Sequence, residues 1–204
     1  SVEAMEKYNI LYSTLQQKII IHHFDVYNQL IGVRGRFLID DDIELFGKYT
    51  PFKVVRRFYN HSLGMNLLGL NHNLKAIQKK RKIMLVEAEK SVVQTDTMFG
   101  EDNFTVALCG SNLIDYQKGM ILMLGVREVI VALDKQYETI DSDECKKWAK
   151  HIKEKIIDKL SPYLSVSVLW DTSGLLDYKD SPTDKGKEVL LKLMEQKIYV
   201  PTND

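Results

Sequence analysis

From about residue 82 onward the apolar positions fall into short, nearly unbroken runs separated by longer stretches of helical spacing. Ile83 to Val86 is wholly apolar and ends on Glu87, Phe104 to Leu108 follows, Glu128 to Leu133 stops at Asp134, and Val166 to Trp170 stops at Asp171. Runs this short, bounded by polar residues, suit strands buried on both faces. Between them a helix-compatible stretch continues through Met98, a second spans about Leu113 to Leu124, and a third is capped by Asp141 or Ser142. In the third, Cys145, Trp148, Ala149, Ile152, Ile156, Ile157 and Leu160 recur on one face before Pro162. A last helix is predicted from about Asp184 to Gln196. Strands joined by helical segments need crossovers, so the expected sheet is mainly parallel and flanked by helices. The predicted class is α/β.

The first half is patterned differently. Extended candidates at Lys18 to His23 and Gln29 to Ile39, the latter interrupted by Gly32 and Gly35, predict a small and mainly antiparallel β region, which makes the whole α+β. A helix is expected over Val2 to Leu15, and a basic helix over Asn71 to Lys82 leads into the second half. Nothing rich in Pro, Gly or Ser separates the parts and no repeat is visible. Two units, 1–81 and 82–204, are therefore expected to pack against each other.

Composition narrows the class without changing this picture. With 204 residues, 45% hydrophobic and 27% charged, the chain can bury a core without staples, and disorder or a collagen-like repeat is excluded. The two cysteines, Cys109 and Cys145, form no Cys-x-x-Cys pair and have no partner at zinc-ligand spacing, so no zinc is expected in this chain and the thiols read as reduced and cytoplasmic. No apolar run approaches the ~20 residues of a membrane span, and the N-terminus lacks a signal-peptide pattern, so no membrane partner is expected. The first residue is Ser1 rather than Met, which suggests a fragment or a processed product.

Charge is where the halves diverge. The total is neutral, 28 basic against 28 acidic side chains, yet residues 1–90 carry 14 basic and 9 acidic groups, a net of +5, balanced by −5 in the rest. The basic residues concentrate between Arg34 and Lys82. A basic half beside an acidic half fits a polyanion groove next to a cation site, although solvated surface charge accounts for the same counts equally well.

The acidic candidates are the carboxylates at strand ends. In parallel α/β sheets ligands bind beyond the carboxyl ends of the strands, where Glu87, Asp134 and Asp171 are expected to stand, with Asp177, Asp180 and Asp184 in the loop before the last helix. An oxygen-rich cluster of this kind suits hard ions such as Mg²⁺ or Mn²⁺. Asp171 reads more readily as a turn residue and Asp184 as a helix cap, whereas Glu87 and Asp134, closing strongly apolar strands, read as functional. The histidines add little: His22 and His23, adjacent on a strand, point to opposite faces and cannot share an ion without a bulge. Neither a Gly-x-Ser-x-Gly elbow nor a Walker-type phosphate loop occurs.

Lys82 to Ser91, Val106 to Gly110 and Val129 to Asp134 resemble, in order and spacing, the Toprim core of bacterial-type primases, topoisomerases and related nucleases. Leu30 to Arg36, Gly47 to Pro51 and Asn66 to Leu70 resemble the run that precedes it in bacterial DnaG-type primases, and Lys179 to Gly186 resembles the final acidic motif of divergent primases from bacteriophages and mobile elements. The resemblance covers roughly residues 18–200. It implies an RNA-polymerase core that makes short RNA primers on single-stranded DNA from ribonucleoside triphosphates, with Mg²⁺ or Mn²⁺ as cofactor.

Carried over residue by residue, the resemblance makes Glu87 and Asp134 catalytic and metal-binding, and adds Asp180 and Asp184 to the metal set. Arg34, Arg36 and Lys48 match basic residues that contact template, and Lys79, Lys80, Arg81 and Lys82 form a further basic cluster for nucleic acid. Gln136 stands where the family has a second aspartate and Ser91 where it has another acidic residue, and loss of two carboxylates weakens attraction for cations; Glu89, Glu138 or Asp177 are the available substitutes. A replicative helicase and a separate zinc-binding domain are the protein partners the family implies. Two alternatives remain open: a Toprim-type nuclease, and a catalytically weakened module that binds nucleic acid or a partner.

Overall fold

The computed structural model describes residues 1–201, so the last three positions of the expected second unit lie outside the described residues. Two five-stranded sheets organise the chain. The first is wholly antiparallel and runs in sequence order: β1 (Leu11–Ser13), β2 (Lys18–Phe24), β3 (Leu30–Phe37), β4 (Tyr49–Val54) and β5 (Arg57–Tyr59). Helix α1 (Val2–Lys7) precedes it and α2 (Asp40–Phe46) sits between β3 and β4.

The predicted helix over Val2 to Leu15 is half correct. It stops at Lys7 because Asn9 takes a left-handed φ of +50° and Leu11 to Ser13 pair instead with Ile20 to Lys18. The Gly32 and Gly35 interruptions do not break β3, which pairs with β2 from Lys18–Phe37 to His23–Gly32 before a register shift at Phe24.

The second sheet has the order β10-β9-β8-β6-β7, with β6 (Lys82–Val86), β7 (Thr105–Ala107), β8 (Glu128–Ala132) and β9 (Ser165–Val168) parallel and β10 (Ile198–Tyr199) antiparallel at the edge. Its helices are α3 (Leu70–Lys80), α4 (Glu89–Phe99), α5 (Asp115–Met123), α6 (Asp143–Ile152), the single turn α7 (Asp158–Leu160) and α8 (Lys187–Glu195), with one π-helical turn at Lys153–Ile157 joining α6 to α7. Ile83, Met84, Leu85 and Val86 are completely buried, as are Val129 and Val131 opposite them. The unbroken apolar runs are thus explained: both faces of these strands are covered.

From β6 the chain moves to β7 on one side, then returns past β6 to β8 on the other. This reversal makes the gap between the carboxyl ends of β6 and β8 the point where a parallel sheet opens a crevice. Leu68 and Ala107 exchange backbone hydrogen bonds of 3.1 and 3.0 Å, tying the connector between the sheets to β7. The next residue must be glycine: Gly69 has φ +89°, and a β-carbon there would come within 2.6 Å of Val92.

Because Leu85 is enclosed between helices on a central strand, Leu85→Ala is expected to destabilise the protein by about 2–5 kcal/mol, read as a lowered urea midpoint with an unchanged slope. A loss below ~1 kcal/mol would contradict the placement of β6 in the core.

Candidate active site

Strands β6 and β8 are adjacent and in register, Val86 opposite Ala132. Each apolar strand ends one or two residues before a carboxylate, so Glu87 and Asp134 arrive together at the crevice. The first turn of α4 adds Glu89, Lys90 and Ser91. The sharp turn after β7 adds Cys109 and Gly110, and from the antiparallel sheet come Arg34 on β3 with Lys48 and Tyr49 at the start of β4. Together with Asp184 and Lys179 these residues line a cleft of about 280 Å³ at the junction of the two sheets.

Burial governs its electrostatics. The Glu87 carboxyl is pushed up to about 7, chiefly by enclosure and then by the neighbouring Asp134 charge, with the Asp134 backbone N–H offsetting part of the effect. Asp134 is pushed up to about 6 by its own burial and by the charge of Asp184. Glu87 Oε2 and Asp134 Oδ1 are both shielded from solvent, and neither has a hydrogen-bond partner among the described residues. Two buried carboxylate oxygens left without donors in one cleft are what a hard divalent cation satisfies, so these residues fit the metal expected from the sequence.

Asp184 enters the cleft but is already engaged. Its Oδ1 accepts from Lys90 Nζ at 2.5 Å and Gln94 Nε2 at 3.1 Å, and its Oδ2 accepts from the Ser181 N–H at 3.1 Å. Burial would raise its pKa, yet these donors hold it below the usual carboxylate range. Ser91, at one of the two departures from the family pattern, is fully buried and meets Ser181 Oγ at 2.9 Å in a hydroxyl chain that runs on to Thr183 and Gln94. Lys90 therefore puts a cation where the sequence leads one to look for another anionic ligand.

Several expected site residues stand elsewhere. Asp180 does not line the cleft: its Oδ2 accepts from the Asp177 N–H at 2.8 Å and pairs with Lys185 at 3.1 Å. Its backbone does contribute, since Asp180 O accepts from Lys135 N and Lys179 N donates to Lys135 O, both at 2.8 Å, docking this loop beside Asp134. Asp171 is a turn anchor, accepting from the N–H groups of Ser173, Leu175 and Leu176 and pairing with buried Lys135 at 3.0 Å. Asp177 is exposed and pairs with Lys185.

Arg36 lies beside the cleft rather than in it, facing an apolar recess shared with Glu89 and Lys90. Lys79, Lys80, Arg81 and Lys82 are not brought to the cleft, because they surround the amino end of β6 and Glu87 follows its carboxyl end. Lys80 pairs there with Asp102 and Lys82 with Glu128.

Sequence reasoning passed over Lys90, Lys179 and Tyr49. Tyr49 carries the guanidinium groups of both Arg34 and Arg36 over its ring, 5.5 and 5.7 Å from the centroid.

The chain shares this architecture with solved proteins. It matches the Aquifex aeolicus primase (zinc-binding and RNA polymerase domains) with a TM-score of 0.65 and 22% identity, over 98% of this chain and 47% of that one. The fold is that of the DnaG primase catalytic core. A DnaG primase catalytic domain bound to single-stranded DNA matches with a TM-score of 0.60 and 16% identity, over 96% of this chain and 62% of that one. In sequence, the chain is 42% identical over 192 residues to the SPbeta prophage-derived uncharacterized protein YorJ of Bacillus subtilis (strain 168), covering 91% of this chain and 51% of that protein. The chain thus spans about half the length of this curated relative and of the Aquifex primase structure. No family model matches. Among the described residues no helix is long and apolar enough to cross a membrane. Within the DnaG-like fold, the cleft lies where the basic antiparallel sheet meets the carboxyl edge of the parallel one.

The raised Glu87 pKa has a measurable sign. A carboxylate whose folded pKa is about 7 against 4.5 when unfolded burdens the folded state only where it must ionise, so the penalty is absent below pH 4.5 and complete above pH 7. In a chelator, Glu87→Gln should therefore gain stability over the native protein as pH rises through this window, by about 3 kcal/mol. Equal stability differences at pH 4.5 and pH 7.5 in urea unfolding would contradict the buried placement of this carboxylate.

Proposed function

We propose that this chain is the catalytic core of a primase-like RNA polymerase, extending a ribonucleotide primer on single-stranded DNA. The observation that carries the reading is the pair of unsatisfied, buried carboxylate oxygens on Glu87 and Asp134, set at the switch point of a DnaG-like fold and faced by basic residues of the other sheet. Glu87 and Asp134 would hold Mg²⁺ or Mn²⁺, which when bound supplies positive charge to the triphosphate and to the oxygens of the reacting phosphoryl group. Arg34, Lys48 and Lys179 present cationic groups to the phosphates of nucleotide or template. Lys90, held on Asp184, adds a fixed ammonium to the same cleft. In the proposed reaction the primer 3′-hydroxyl attacks the α-phosphate and pyrophosphate leaves, with Glu87 placed to accept the hydroxyl proton. DNA as template agrees with what the structural neighbours bind.

A second reading has a specific observation behind it. Gln136 and Ser91 withhold two carboxylates, and Lys90 neutralises Asp184, which favours a module that still binds nucleic acid but holds metal weakly.

Template-directed incorporation of ribonucleotides on single-stranded DNA separates the two. The polymerase reading predicts synthesis with Mg²⁺ or Mn²⁺ that drops at least ~100-fold in Glu87→Gln and in Asp134→Asn. Single-stranded DNA binding without synthesis or Glu87-dependent Mn²⁺ affinity would overturn it for the binding module, and metal-dependent DNA cleavage without nucleotides would overturn it for a nuclease. Lys48→Ala should lower DNA affinity across sequences and reduce the slope of log affinity against log salt by about 0.7. An unchanged slope would remove Lys48 from the phosphate contacts.

A further inference from the structure

Beside the Glu87 and Asp134 pocket, three segments distant in sequence bring together an imidazole, a carboxylate and a thiol. His23 lies on β2, Glu89 in the first turn of α4, and Cys109 in the turn after β7. One donor atom from each falls within 4.8 Å of the others. His23 and Glu89 are each 1% exposed. His23 Nε2 points at Glu89 Oε1 across 3.4 Å but makes no hydrogen bond, which leaves a buried ring nitrogen unsatisfied inside the cluster. A register irregularity between His23 and Phe24 accompanies this placement, and neighbouring His22 turns away to Asn9 O at 2.7 Å.

We propose that His23, Glu89 and Cys109 form a binding site for a zinc-class transition metal, adjoining the Glu87 and Asp134 carboxylates with a separate set of ligands, which clasps the antiparallel sheet to the carboxyl edge of the parallel one. The donor set decides the ion: nitrogen, sulfur and a single carboxylate select a borderline-soft metal over magnesium, and three protein ligands are the usual complement of a zinc site with one open position. Glu89 and Cys109 also line the cleft, so the proposed site borders it. The outer groups suit this role. Arg34 Nη1 donates to Glu89 Oε1 at 3.0 Å, as the second partner of a ligating carboxylate does.

His61 packs edge-on to His23 with ring centroids 4.8 Å apart, in space that exists because residue 32 is glycine: a β-carbon there would sit 2.2 Å from His61 Nδ1. Both ring nitrogens of His61 are without partners among the described residues, which supplies a further nitrogen next to the cluster. Burial and the nearby Glu89 charge hold the Cys109 thiol protonated without metal, so metal binding forms a sulfur–metal bond, breaks the S–H bond and releases one proton to solvent. The sequence expectation of no zinc rested on spacing between neighbours in the chain, and positions 23, 89 and 109 are invisible to such a test.

Cobalt(II), whose bond to a thiolate absorbs strongly in the near ultraviolet, reports on this site directly. Titrated into the whole protein it should give a saturable charge-transfer band that zinc displaces and Mg²⁺ does not. The band should persist in Cys145→Ala and in Glu87→Gln, vanish in Cys109→Ser, and require at least tenfold more cobalt in His23→Gln and Glu89→Gln. Absence of the band in the native protein, or its survival in Cys109→Ser, would overturn the site and show a buried polar network only. Because the readout is indifferent to Glu87, it succeeds or fails separately from the polymerase reading.

Discussion

The parallel pairing of Ile83–Val86 with Val129–Ala132 is the constraint on which the rest depends. These strands are buried on both faces, so no polar side chain can be tolerated along their length without a partner. Polarity is expelled to their ends. At the carboxyl end that expulsion delivers Glu87 and Asp134 to one place, and the reversal of chain direction between β6 and β8 keeps a crevice open above them. The carboxylates remain partly enclosed by the turn after β7, the first turn of α4 and the loop docked on Lys135, which raises both pKa values and leaves two oxygens unsatisfied.

The second sheet-forming half would present this crevice to solvent if the antiparallel sheet did not close it. Part of the closure is polar: Arg34 reaches across to Glu89 at 3.0 Å, both side chains largely or wholly buried, with the His23 ring 3.4 Å from the same carboxylate. An ion pair in such surroundings adds little net stability over an apolar contact but is strongly unfavourable to break from one side. It therefore fixes how the basic sheet sits over the cleft, and with it the positions of Lys48 and Tyr49. The cleft then has cationic groups on both sides, Arg34 and Lys48 from the antiparallel sheet and Lys90 and Lys179 near the carboxylate pair.

Legibility in the sequence followed burial. Strands β6, β8 and β9 could be read because burial of both faces writes a continuous apolar run, and Glu87 and Asp134 because each closes one. Strands β4 and β5 escaped: Tyr49–Val54 and Arg57–Tyr59 are partly or largely exposed and mix aromatic with charged residues, leaving no alternation to detect. Helix α1 is shorter than the apolar pattern suggests, because Leu11 and Tyr12 pair as a strand with Ile20 and Ile19 and Leu15 lies exposed beyond it. In the site, Asp180 and Asp184 match the last acidic motif alike, and only the fold turns Asp184 toward Lys90 and Asp180 toward Lys185. The grouping of His23, Glu89 and Cys109 depends wholly on contacts between sheets, which no local spacing records.

The most direct test of the account is an anomalous difference map from crystals of this protein soaked in Mn²⁺. The central claim is that the unsatisfied oxygens of Glu87 and Asp134 form a cation site at the junction of the two sheets. It predicts a manganese peak bonded to both carboxylates and absent in Asp134→Asn crystals. A map with no peak there, or with manganese held only at Asp177 and Asp180 on the outer loop, would contradict it.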